Sequence, residues 1–238
     1  MLCRRYVFGG LQVRYFNLGL FVFSIICVFF IVKSSDEALV INSSLFEQFS
    51  VGNTIIFNLS SGMLISIWFY FLVVYLPERL RKKRIKNHFI LQYTEFKRNL
   101  IRHILGSCKR TYSSNLPKQL MVPEVFKTYF KENVIDGQNR WHVFLNNIDE
   151  TLLLDIFNEF EAFKEATFYL LNNVEVADEE VFACLHRINT IAVTLKSVKI
   201  DEDSLKQLSR LLWEILAGFS WIEGYRDYDY FEKMFNKI

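Results

Sequence analysis

The chain has 238 residues, 51% hydrophobic and 16% aromatic, with a formal net charge of +2. Charged residues make up 23%, near the ordinary soluble value, which excludes a polytopic membrane protein and leaves a small membrane part joined to a larger water-exposed one. Only 9 Gly and 3 Pro favour long helices with few breaks, and the scattered Cys3, Cys27, Cys108 and Cys184 form no CxxC, so no disulfide is expected.

Residues 1–14 are short and basic, with Arg4, Arg5 and Arg14, and read as a cytosolic N-terminus. The span 15–33, uncharged from Tyr15 to Val32 and closed by Lys33, is near the lower end of what crosses a bilayer, and Arg14 and Lys33 can snorkel from its ends. It is longer than the apolar region of a signal peptide. No small-x-small cleavage pattern follows it, so it reads as an uncleaved anchor. Residues 34–53 carry Asp36, Glu37 and Glu47 and form an external loop, in which Leu45, Phe46 and Phe49 fit an amphipathic turn on the membrane surface or a plain bridge.

The second span, 54–77, carries no charge until Glu78. Asn58, Gly62, Ser66 and Tyr70 recur every four residues and form one slowly drifting stripe of small and polar side chains. Such a face lets another helix approach closely, with Asn58 bonding across the contact. It packs either on the first span or on copies of itself, as an oligomer or pore. No potassium-filter sequence lies between the spans. Directly after Pro77 comes the run Arg79, Arg81, Lys82, Lys83, Arg84 and Lys86, which reads as a positive-inside anchor against an anionic cytoplasmic leaflet. It lacks interleaved aromatics, so direct nucleic-acid binding is not expected. Basic flanks on both spans and an acidic loop place both termini in the cytosol.

Residues 78–105 then form a basic amphipathic juxtamembrane helix, with Phe89, Tyr93, Phe96, Leu100 and Ile104 on one face. Residues 106–140 read as a linker with short helices, ending near the turn signal Asp136-Gly137. Residues 141–238 form a cytosolic helical bundle. Asn147, three before Glu150, opens a helix with Leu152, Ile156, Phe160, Phe163, Thr167 and Leu170 inward. Asp178 opens a second, with Val181, Leu185, Ile188, Ala192 and Leu195 inward. Asp201 or Asp203 opens a third, with Leu205, Leu208, Leu212, Ile215 and Phe219 inward. The expected fold is therefore all-α, a two-helix transmembrane hairpin followed by a helical bundle. The many acids between Asp149 and Asp203 suggest an attraction to the basic run that holds a resting state.

No phosphate-binding loop, nucleophile elbow or HExxH is present, and His103 with Cys108 or Cys184 with His186 lacks metal-ligand spacing. The expectation is a non-enzyme without cofactor or metal. In the tail, Trp221, Tyr225, Arg226, Tyr228, Tyr230 and Phe231 interleave aromatics with charge. They either dock a partner or fold back on the bundle as a last short helix.

Two spans, the basic junction Arg79–Lys86 and a helical cytosolic domain together resemble, across the whole chain and in architecture, the two-span membrane effectors of bacterial anti-phage systems, including those paired with retrons. The resemblance implies an oligomeric inner-membrane toxin kept silent by a cytosolic protein or nucleoprotein regulator, which on release perturbs the membrane and stops growth. The rival class is a membrane anchor or adaptor that recruits a cytosolic complex. A third, a sensor of outside conditions, has only a short external loop to work with.

Overall fold

The computed structural model describes residues 6–35, 49, 51–108, 111–135, 137–195, 202–220 and 222–238. The fold is all-α, with two helices long and apolar enough to cross a membrane followed by further helices. The chain divides into two compact units, Met1–Lys83 and Arg84–Ile238.

In the first unit, α1 (Tyr6–Ser34) packs against α2 (Asn53–Tyr70). α1 thus begins well before Tyr15, because the short basic segment continues the helix rather than preceding it. Among the described side chains, most of the large apolar ones of both helices are exposed. Their buried residues are small: Cys27 and Ser34 on α1 and Ser60 on α2. Gly52 starts α2 at φ 89°, a conformation that favours glycine, and its carbonyl accepts the amides of Ile55 and Ile56, both at 3.1 Å. The Asn53 side chain clamps the backbone of Phe49 through both its amide and its carbonyl, at 3.1 and 3.0 Å. The Phe49 ring stacks on Phe30 at 6.3 Å and lies under the Lys33 ammonium at 4.7 Å. Leu45 and Phe46, the other members of the expected surface turn, lie outside the described residues.

Pro77 neither ends the helix nor starts a new one. One π-helical turn, Phe71–Tyr75, joins α2 to α3 (Leu76–Cys108). The Leu76 amide reaches back to the Phe71 carbonyl, five residues away, and Pro77 offers no amide for the next bond. In an α-helix the proline ring would strike the carbonyl of Val73; widening that turn removes the clash and keeps the run helical.

In the second unit the core begins at Ile85, so α3 is part of the bundle rather than a separate juxtamembrane helix before it. Phe89, Tyr93, Phe96, Leu100, Ile101 and Ile104 are all buried on one arc. Residues 106–140 are likewise not a linker. They contain α4 (Leu116–Gln119), α5 (Pro123–Lys131) and the antiparallel pair β1 (Asn133–Ile135) and β2 (Gln138–Asn139). Leu120, Phe126 and Phe130 are fully buried, the two phenylalanines one turn apart on a helix that Pro123 initiates. The apolar patch at Trp141 forms α6 (Arg140–Asn146), capped by the Asn139 side chain on the His142 amide.

α7 (Glu150–Asn173) is capped by Asp149, which accepts from the Leu152 amide at 2.7 Å, and not by Asn147. Asn147 instead ends α6 and donates its amide to the Ser107 carbonyl at 2.8 Å. The register moves Leu153 into the core and leaves Leu152 half-buried, while Ile156, Phe160, Phe163, Thr167 and Leu170 are inward as expected. α8 (Glu179–Leu195) is capped by Asp178 and buries Val181, Cys184, Leu185, Ile188 and Ala192; the side chain of Leu195, like Asp201, lies outside the described residues. α9 (Glu202–Ala217) buries Leu208, Leu212, Ile215 and Leu216, with Leu205 half-buried. Gly218 ends it at φ 64°, where a Cβ would meet the Arg226 carbonyl at 3.1 Å and the Pro123 side chain at 3.2 Å. Phe219 therefore leaves the helix and enters a second small hairpin, β3 (Phe219–Ser220) with β4 (Gly224–Tyr225). α10 (Tyr230–Asn236) closes the unit.

Two aromatic groups organise this core. Phe163 stacks on Phe96 at 4.8 Å and on Phe89 at 5.4 Å, and Phe235 meets Phe89 and Tyr93 edge-on, both at 4.9 Å. Around Trp141 gather Phe144 at 5.0 Å, Trp213 at 4.8 Å and Phe130 at 5.8 Å, and its indole donates to Ser209 Oγ at 3.1 Å. Such pairs add roughly 0.5–1.5 kcal/mol each beyond the area they bury.

Candidate functional site

Asn58, Gly62 and Ser66 lie along an open groove of about 520 Å³, with Met63 beside them and Leu20 and Phe23 of α1 on its other wall. All three stripe residues are exposed; α1 borders this face without covering it. The small residue of α2 that is buried is Ser60, on another side of the helix. A Cβ placed on Gly62 meets nothing within 4 Å. Ser66 Oγ satisfies itself by donating to the Gly62 carbonyl at 2.9 Å, whereas the Asn58 amide has no partner among the described residues. Tyr70, half-buried, ends α2 beneath the π turn and lies outside the groove.

The basic run occupies the first turns of α3. Arg79, Arg81, Lys82, Lys83 and Arg84 are exposed, and Lys82 pairs with Glu78 of its own helix at 3.4 Å. Lys86 differs. It is half-buried, and its ammonium donates to the carbonyls of Asn236 and Ile238 at 2.9 and 3.2 Å. Four acids of the second unit find partners within it: Glu159 accepts from Asn99, Glu161 pairs with Lys164, Glu180 with Lys237 and Glu214 with Arg187.

The tail residues separate into a buried and an exposed set. Phe231 is 3% exposed and belongs to the core with Met234 and Phe235. Arg226 and Tyr230 are half-buried, with the guanidinium 4.4 Å from the ring centre. Tyr225 and Tyr228 remain exposed: Lys127 and Lys131 lie 4.5 and 4.6 Å from the Tyr225 ring, and Lys233 lies 4.3 Å from that of Tyr228. Trp221 lies outside the described residues.

What holds this tail is a buried ion pair. Lys97 Nζ meets Asp229 Oδ2 at 2.6 Å, with 3% and 5% of the two side chains exposed. Lys97 also donates to the Met121 carbonyl at 3.0 Å, and the Tyr93 hydroxyl lies 2.9 Å from both Asp229 oxygens. Asp229 in turn caps α10 through the Glu232 amide at 3.1 Å. Burial, and then the charge of Asp229, hold the Tyr93 hydroxyl well above its ordinary pKa, so it remains a donor. The signal was present in the sequence: Lys97 interrupts the otherwise apolar arc of α3, and Asp229 precedes Glu232 by three residues, a helix-capping spacing.

Burial pushes the Cys184 thiol up to about 12, which leaves it a protonated, unreactive core side chain. Among the described residues no three His, Cys, Asp or Glu side chains converge to hold a metal ion. The fold and its faces thus define an apolar two-helix hairpin with a largely apolar groove that carries Asn58 and Ser66, followed by an aromatic-cored bundle. No protein-family model, curated protein or solved structure matches the chain.

Proposed function

We propose that the chain is a non-enzymatic inner-membrane effector of the bacterial defence or toxin type. In this reading α1 and α2 cross the bilayer as a hairpin with both termini cytosolic, and the run from Arg79 to Arg84 lies against anionic lipid. Copies associate through the face of Asn58, Gly62 and Ser66, and the assembly perturbs the membrane when a cytosolic protein or nucleoprotein regulator releases the bundle. The observation that carries this reading is the groove. An amide facing hydrocarbon without a partner is unfavourable, and close approach of a second α2 supplies both a partner for Asn58 and contact for Gly62. Each bond across the contact contributes only about 0.6 kcal/mol, so packing of the small residues supplies the rest.

A second reading, an anchor or adaptor that recruits a cytosolic complex, draws support from the exposed Tyr225, Tyr228 and Ile222, the last 96% exposed. The two readings part at the groove. Replacing Gly62 and Ser66 together by Leu fills the contact face while meeting no obstacle at position 62 within the single chain. By light scattering in lipid nanodiscs, the wild type should contain several copies and the double variant one. A variant that assembles like the wild type would leave the groove without a role in association.

A further inference from the structure

From the last turn of α2 through the π turn, three rings form a ladder along one side of the helix. Trp68 meets Phe71 edge-on at 6.1 Å, and Phe71 stacks on Tyr75 at 5.5 Å. Trp68 is 56% and Phe71 41% exposed, so the rings pack on one another and leave their outer surface open. Helical spacing continues the ladder from Tyr75 to Arg79, one turn on. The acid beside Arg79, Glu78, is taken by Lys82 at 3.4 Å, whereas Arg79 has no ion pair among the described residues. Trp68 follows Ser66 by two residues, which sets the ladder on the side of α2 away from the groove of Asn58, Gly62 and Ser66. All of these residues belong to the first compact unit.

The ladder and its cation match the length of one lipid leaflet. Trp68 lies eleven residues before Arg79, about 16 Å at about 1.5 Å per residue, against about 15 Å for half of the hydrocarbon core. An acyl chain lying along the rings therefore brings its headgroup to the guanidinium, which can hold two phosphate oxygens in parallel bonds. The Tyr75 hydroxyl has no partner among the described residues and stands one turn before Arg79, at the level where tyrosines sit between acyl chains and headgroups. We infer that this side of the helix is a binding site for one anionic phospholipid, with an acyl chain on Trp68, Phe71 and Tyr75 and the headgroup phosphate on Arg79. A zwitterionic headgroup carries its own ammonium beside the phosphate, which Arg79 and Lys83 repel, so the site selects net negative charge. The inference rests on the membrane reading above. It goes beyond the general attraction of the basic run to charged lipid by assigning one cation and one face.

Quenching of Trp68 by brominated lipid tests it on the full chain in vesicles. Trp68→Phe gives the signal of the tryptophans of the second unit, which is subtracted. Brominated phosphatidylcholine should quench Trp68. Unbrominated phosphatidylglycerol should relieve that quenching about fivefold more effectively, mole for mole, than unbrominated phosphatidylcholine. Arg79→Gln should lose this preference while Trp68 remains quenched. Arg81→Gln removes the same charge from another side of the helix and should keep it. Equal relief by the two lipids in the wild type would overturn the site. So would an equal loss of preference in Arg79→Gln and Arg81→Gln, the mark of a diffuse surface charge. A chain that resists alkaline extraction from the vesicles while Trp68 stays unquenched would overturn it too, because the ladder would not face lipid. A chain that alkali extracts would instead overturn the membrane reading, and the inference with it.

Discussion

Replacing Asp229 by Ala should lower the stability of the bundle by about 3–5 kcal/mol, the usual consequence of leaving one buried charge without its partner. The Lys97 ammonium would keep only the Met121 carbonyl, the Tyr93 hydroxyl would lose its acceptor, and α10 would lose its cap. The intact pair adds little net stability, because taking two charges out of water offsets most of their attraction. What it does is fix where the tail docks. Replacing both partners by apolar residues, Lys97→Met with Asp229→Leu, should therefore cost distinctly less than Asp229→Ala. Thermal denaturation followed by near-ultraviolet circular dichroism compares the three proteins. Equal losses for the single and double variants would show that the cost lies in the packing of α10 and not in the stranded charge.

Phe163→Ala should be comparably damaging, about 3–5 kcal/mol, as for other large aromatic truncations in a core. The Phe163 ring is 2% exposed and contacts Phe89, Tyr93, Phe96 and Phe235 at once, so no single neighbour can move in to fill the space. Phe168→Ala, on the same helix but 44% exposed, should change stability by well under about 1 kcal/mol and serves as the control. Denaturant unfolding of both variants checks the contrast; a small loss for Phe163→Ala would mean that the aromatic group is not a rigid core.

The helical periods of the bundle were legible because burial selects one face: from Ile156 to Leu170 and from Val181 to Ala192, the apolar positions named from spacing are the buried ones. Three features escaped for physical reasons. The short helix that carries Phe126 and Phe130 was expected, but nine residues between polar flanks hold too little of a period to mark it as buried, so it read as part of a linker. The π turn before Pro77 has no compositional mark; from sequence a proline there reads as a kink or as the first turn of a new helix. Asn147 and Asp149 both precede a plausible first turn of α7, and the cap falls to Asp149, whose carboxylate accepts the Leu152 amide. At the candidate site, the stripe of Asn58, Gly62 and Ser66 could be read from four-residue spacing. Which small residue of α2 is buried could not, because Ser60 and Ser61 are equally small. The buried Lys97–Asp229 pair joins residues 132 positions apart, a distance at which spacing carries no information.

The measurement that bears most directly on the central claim is membrane potential. With controlled expression in bacteria and a potential-sensitive dye, the wild-type chain should depolarise the inner membrane and arrest growth. The Gly62→Leu, Ser66→Leu double variant, expressed and inserted to the same level, should do neither. Polarised, growing cells that carry the wild-type chain, free of any regulator and correctly inserted, would contradict the effector reading and leave the chain a membrane anchor.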